Sequence, residues 1–185
     1  MKRCIGVAHR FCWYRVAIRP ACLLLVFLAA ACDDVPVTSV VFARDDVRSF
    51  AQGAMRDGPL PVVIAGRPDG VPEAMLTERV VAAMTQAMSW TATPRLRAAP
   101  AAEVARAIRI VVAFGGGGGG CGGPPGGGGP LADGKVALTM TLCAGEEALA
   151  VVSGRLGRSD GSEGPRFAAL IRQATVDLFS NPRHP

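Results

Sequence analysis

The side chains able to do chemistry are few, and they do not fall into a catalytic pattern. Nucleophilic catalysis needs a Ser or Cys beside a base. The two histidines are His9 and His184, at opposite ends of the 185-residue chain. Ser153 lies in Val151-Val152-Ser153-Gly154-Arg155, without the Gly-x-Ser-x-Gly elbow of a strand-to-helix nucleophile, and reads as a strand residue. The carboxylates come as neighbours rather than as opposed pairs. Asp45-Asp46 stand where a helix would start, Glu73 and Glu78 on the polar side of a helix, and Glu146-Glu147 in a turn. Each fits a solvated or capping role. Asp160-Gly161-Ser162-Glu163 lacks the alternating ligands of a calcium loop. No residue is therefore assigned to catalysis, to a cofactor or to a metal, and the expectation is a protein that is not an enzyme. A carboxylate-based hydrolase is the least favoured alternative.

One glycine-rich stretch could bind phosphate through its backbone amides. Gly115 to Gly129 contains twelve glycines, with Cys121, Pro124 and Pro125 among them. A phosphate loop needs Gly-Lys-Ser/Thr or a helix directly after it. Pro130-Leu131-Ala132-Asp133 follows instead. Glycine loses the most conformational entropy on ordering, so the expectation is a disordered loop over 115–130, between two strands.

The most informative chemistry lies near the start. Lys2, Arg3, Arg10, Arg15 and Arg19 precede an apolar run from Ala21 to Ala31, and no acidic residue occurs before Asp33. A basic segment, an apolar segment and small residues together read as an export signal. The run holds 11 residues, where a membrane-spanning helix needs about 20. Ala29-Ala30-Ala31-Cys32 resembles the lipobox of bacterial lipoproteins, with Ala29 where that family favours Leu. The resemblance covers roughly the first 34 residues. It implies cleavage before Cys32, a diacylglyceryl group on the Cys32 thiol, and a membrane anchor. The family also implies a sorting role for Asp33, directly after the cysteine, which leans toward retention in the inner membrane; inner or outer membrane stays open. The alternative is an ordinary secretory signal cleaved after Ala31, leaving Cys32 a plain thiol.

The signal also explains the charge. The formal net charge is +5, but from Cys32 onward there are 15 basic and 15 acidic residues. The exported part is neutral and has no basic stripe with interleaved aromatics, so nucleic acid is not an expected partner. Cys4, Cys12 and Cys22 leave with the signal, and Cys121 and Cys143 remain as an even pair in an oxidising compartment. They do not form Cys-x-x-Cys. A bridge between them would close a 22-residue loop, stabilising by about 3 kcal/mol in the chain-entropy picture. Two unpaired thiols are the alternative.

The elements that must position these groups follow from periodicity. Residues 32–58 read as lipid anchor and tether, with a short strand over Val37–Phe42 and a helix carrying Val47, Phe50, Ala51 and Ala54. Residues 59–185 read as one domain. Pro61 to Ala65 is a short strand buried on both faces. Leu76, Val80, Ala83, Met84, Ala87 and Met88 make one helical face over Pro72–Trp90. Methionines at that spacing are core rather than a metal groove. Thr91 to Ala99 has room for a brief strand, and Ile108 to Phe114 is apolar enough for a central one. Lys135 to Cys143 alternates, with Val136, Leu138, Met140 and Leu142 on one face, and Ala148 to Leu156 pairs with it as a hairpin. Pro165 opens a last helix with Phe167, Leu170, Ile171, Ala174 and Leu178 on one face.

The order β-α-β-β-β-α predicts an α+β two-layer sandwich: a mostly antiparallel sheet of about four strands, with two main helices on one face. It loosely resembles small envelope-assembly lipoproteins, a likeness of fold that does not carry function. The expected function is an envelope lipoprotein that binds or scaffolds another envelope component, held to the membrane by Cys32 and facing the periplasm. A periplasmic binder of small ligands or lipids, using a gap between sheet and helices, is the alternative.

Overall fold

The structure, a computed structural model, describes residues 35–68, 71–105, 107–115, 119–122, 135–157 and 164–180. One compact unit begins at Val35 and is described by itself. It contains β1 (Val37–Ala43), α1 (Val47–Asp57), β2 (Leu60–Ala65), α2 (Glu73–Ala87), β3 (Leu96–Ala98), a 3-10 turn (Ala101–Glu103), β4 (Ile108–Phe114), β5 (Val136–Ala144), β6 (Glu147–Leu156) and α3 (Pro165–Leu178).

The α+β class is as expected, but the described sheet has six strands in the order β1-β6-β5-β4-β2-β3 and three helices accompany it. It is mixed rather than mostly antiparallel. β4, β5, β6 and β1 pair antiparallel, whereas β2 runs parallel to both β3 and β4. The connections explain the difference. Only two residues, Gly145 and Glu146, join β5 to β6, with Gly145 in the left-handed region (φ 60°). So short a turn forces an antiparallel pair. From β2 to β3 and β4 the chain passes through α2 and the 3-10 turn, long enough to return in the same direction. The two strands beyond the expected four are short or peripheral: three-residue β3, and β1 at the other edge.

One face of the sheet carries the helices. Leu60, Val62, Ile110, Val112, Leu138, Met140, Leu142 and Val152 point into a core shared with all three of them. α2 contributes Leu76, Val80, Ala83 and Met84, and α3 contributes Phe167, Leu170, Ile171, Ala174 and Leu178, the faces that periodicity marked. α1 adds Val47, Ala51 and Met55. Phe114 stacks on Phe167 at 5.9 Å, and Trp90 packs on Phe179 at 5.0 Å. α3 lies close over β6 because Gly154 has no side chain there. A Cβ at Gly154 would fall 3.0 Å from Leu170 Cδ1. α3 is also tied to the edge strand, since the Thr38 hydroxyl donates to the Asp177 carboxylate.

The opposite face is covered over its middle by chain segments rather than helices. Val63 and Val111 face away from the main core and pack with Ala99, Val104, Cys121 and Cys143. Part of the glycine-rich stretch lies here. Gly119 and Cys121 are buried, so those residues are packed rather than loose; residues 116–118 and 123–130 of the expected disordered loop lie outside the described residues.

Candidate functional site

The best-built polar cluster sits on that second face. Cys121 and Cys143 are joined by a disulfide, and both are buried. Beside them Arg109, in β4, is only 4% exposed. Its register partner across the ladder is Cys143. Its guanidinium donates to four backbone carbonyls: Cys121 O at 2.5 Å, Ala105 O at 2.6 Å, Gly145 O at 3.0 Å and Ala107 O at 3.2 Å. Burial pushes the Arg109 guanidinium below its ordinary value, because the charged form loses hydration. Carbonyl dipoles supply the compensation.

This cluster clamps chain; it does not present a reactive group. Three segments converge on one cation: the turn before β4, the β5–β6 turn and the glycine-rich segment at Cys121. The five N–H donors of a guanidinium suit that task. Gly119 is held against Thr141, where a Cβ would lie 3.3 Å from the Thr141 hydroxyl oxygen. That hydroxyl is buried and has no hydrogen-bond partner among the described residues. Sequence reasoning assigned nothing to Arg109. The signal available was one cation inside the otherwise apolar Ile108–Phe114.

Grooves also open elsewhere among the described residues. One of about 440 Å³ lies at the ends of β2 and β3 beside the start of α2, lined by Ile64, Ala65, Glu73, Thr77, Ala98 and Pro100. It sits where α2 leaves on one face of the sheet and the 99–104 segment crosses the other. In open sheets with parallel strands, such a divergence is where ligands settle. Its side-chain chemistry is one carboxylate and one hydroxyl. The second groove, about 590 Å³, runs along α1 and is lined by Asp46, Phe50, Gly53, Arg56, Asp57 and Ile108. Both lie outside the layer between sheet and helices, where Phe114, Phe167, Leu138 and Met140 are fully buried.

Two of the carboxylates singled out from the sequence are brought to one cation. Asp46 and Glu147 share Arg44, at 3.7 and 2.7 Å, across the start of α1 and the β5–β6 turn. Glu73 is in the first turn of α2, and Glu78 is exposed on the same helix. Ser153 exchanges a 2.7 Å hydrogen bond with Ser39 on the open face of β6 and β1. Among the described residues, no group of three or more His, Cys, Asp or Glu is placed to hold a metal ion. No described helix is long and apolar enough to cross a membrane. Cys32, Asp33, His184 and the 160–163 segment lie outside the described residues.

The chain matches no family model and no curated protein. Among solved structures it is similar to a PelC dodecamer from Paraburkholderia phytofirmans, at 14% identity and a TM-score of 0.41, over 80% of this chain and 96% of that one. So distant a likeness carries nothing about activity.

Proposed function

We propose that this protein is a non-enzymatic lipoprotein of the bacterial cell envelope: acylated Cys32 holds a small α+β domain on the periplasmic side, and that domain binds or scaffolds another envelope component. The observation that carries the reading is the basic segment, the apolar run Ala21–Ala31 and the cysteine directly after it. The compact unit begins at Val35, three residues beyond that cysteine, which is the layout of a domain carried on a short tether. A diacylglyceryl group supplies two chains, and each buried methylene contributes about 0.8 kcal/mol, enough for stable anchoring where one chain would exchange. The disulfide between Cys121 and Cys143 suits an exported domain.

Fractionation of cells tests the anchor. Wild type is expected in the membrane pellet, and the Cys32→Ser variant in the soluble periplasmic fraction. A variant that stays in the pellet contradicts the reading. Separating the two membranes by density tests Asp33, whose replacement by Ser should move the protein out of the inner-membrane fraction. Crosslinking in intact envelopes, followed by affinity capture, tests scaffolding; repeated capture of the protein alone counts against it.

A second reading, a small-ligand binder, is favoured by the 440 Å³ groove at the divergence of β2 and β3. With Glu73 as its carboxylate, the groove suits a small ligand bearing a cationic or hydrogen-bond-donating group. Titration with small periplasmic metabolites, followed by amide chemical shifts at Thr77 and Ala98, would reveal it. Shifts absent at both positions contradict this second reading.

A further inference from the structure

Seven large hydrophobic side chains are exposed among the described residues, and five of them are Val35, Val37, Val40, Val41 and Phe42. Val37 and Val41 are 64% and 66% exposed, and Phe42 is 48% exposed. Four of them, Val37, Val40, Val41 and Phe42, lie in β1, which among the described residues is an edge strand paired with β6 alone. No charged residue occurs from Val35 to Ala43. An apolar, uncharged edge strand invites association, and proteins ordinarily blunt such edges with charge.

We infer that β1 lies against the lipid bilayer, with Val37, Val41 and Phe42 seated in the headgroup and upper acyl region. The inference rests on the anchoring reading of Cys32. Covalent reach is the first argument. Four residues lie between Cys32 and Val37, and an extended chain spans at most about 3.5 Å per residue, so β1 begins within about 18 Å of the Cys32 Cα. The headgroup layer on one side of a bilayer is about 6 Å thick. The start of β1 is therefore tethered within about 12 Å of the headgroup surface. The described stretch nearest Cys32 in sequence carries five of the seven exposed large hydrophobic side chains.

Strand geometry favours lipid over a partner strand. The pairing of β1 with β6 is interrupted by a bulge between Val40 and Phe42. A bulge twists an edge and breaks the regular row of amides that an added strand would need. Side-chain contact with a fluid surface does not need that regular row: Val37, Val41 and Phe42 enter while the open backbone edge stays at headgroup level, where water and phosphate satisfy its amides and carbonyls. Arg155, exposed and in register with Val37, places a cation beside the strand at the depth of lipid phosphates. Asp33 and Asp34 lie between anchor and strand, so the contact rests on apolar area rather than on net attraction to anionic lipid.

The test places tryptophan on the strand and asks whether lipid reaches it. The exported, processed protein is prepared with Trp90→Phe as a silent background, carrying Val41→Trp, Phe42→Trp or, on the far edge strand β3, Arg97→Trp. Each is reconstituted by its anchor into vesicles of zwitterionic phosphatidylcholine, with and without brominated acyl chains, and intact mass is read on the same samples. With Cys32 acylated, quenching is expected to be at least threefold greater for Val41→Trp and Phe42→Trp than for Arg97→Trp. Equal quenching at the two edges, with Cys32 acylated, overturns the inference and leaves the anchor standing. An emission blue-shift without lipid quenching, together with a doubled mass, also overturns it and assigns the strand to a second copy of this chain. An unacylated Cys32 overturns the anchor, and the inference with it.

Discussion

Arg109 and the Cys121–Cys143 disulfide hold the same segment, so their contributions to stability should not add. Replacing both cysteines by Ala releases a loop of sequence separation 22, which costs about 3 kcal/mol by chain entropy. Replacing Arg109 by Met removes donors from four carbonyls, of which only the bond to Cys121 O is fully buried. A buried acceptor stranded without a donor costs about 1–3 kcal/mol, and the other three can turn toward water for less. Relief of the buried, partly dehydrated charge offsets some of this, so about 3 kcal/mol is expected for Arg109→Met alone. Independent effects would then sum to about 6 kcal/mol, comparable with the whole stability of a small domain. Once the disulfide is gone, the segment at Cys121 can leave the guanidinium, and Arg109 loses its buried acceptor in that variant already. The triple variant should therefore be less destabilised than the sum by about 1–2 kcal/mol. Urea unfolding of the four proteins, followed by far-UV circular dichroism, measures the cycle. Additivity within about 0.5 kcal/mol would refute the shared role, because residues that do not share a partner add to that accuracy.

Three further outcomes are expected. Thr141→Val should be neutral or stabilise by about 1 kcal/mol in urea unfolding, because the Thr141 hydroxyl is buried without a partner among the described residues; a loss above 1 kcal/mol would show a bond to a residue outside them. Gly154→Val should destabilise by about 2 kcal/mol, since a Cβ there already meets Leu170 at 3.0 Å and Leu138 at 3.4 Å; an unchanged midpoint would mean that α3 can shift freely on β6. Thr38→Val should cost about 1.5 kcal/mol and raise amide exchange in β1 more than in β5, because it cuts the polar tie from β1 to α3; uniform exchange would place that tie outside the local stability of the edge.

What could be read from the sequence was set by pattern length. α2 and α3 each repeat an apolar face over several turns, and their buried residues are those that the spacing marks, apart from Thr175, a polar residue buried in α3. β5 alternates over nine residues, and the turn at Gly145 makes its hairpin partner unambiguous. β3 is too short to carry any period, and only parallel pairing with β2 defines it. β1 was readable as a strand but not as a member of this sheet: its pairing with β6 joins residues more than a hundred positions apart. Arg109 was invisible for a different reason. A buried guanidinium is recognised by its acceptors, and all four are backbone carbonyls brought in by the fold. The cysteine pair was open to two readings until β4 and β5 placed Cys143 beside the segment that carries Cys121.

The central claim is the lipid anchor at Cys32, and mass spectrometry of the mature N-terminus tests it most directly. The expected mature chain begins at Cys32 and carries at least the mass of a diacylglyceryl group, with that mass lost in Cys32→Ser. A mature chain that begins at another residue, or a Cys32 with a free thiol, would contradict it.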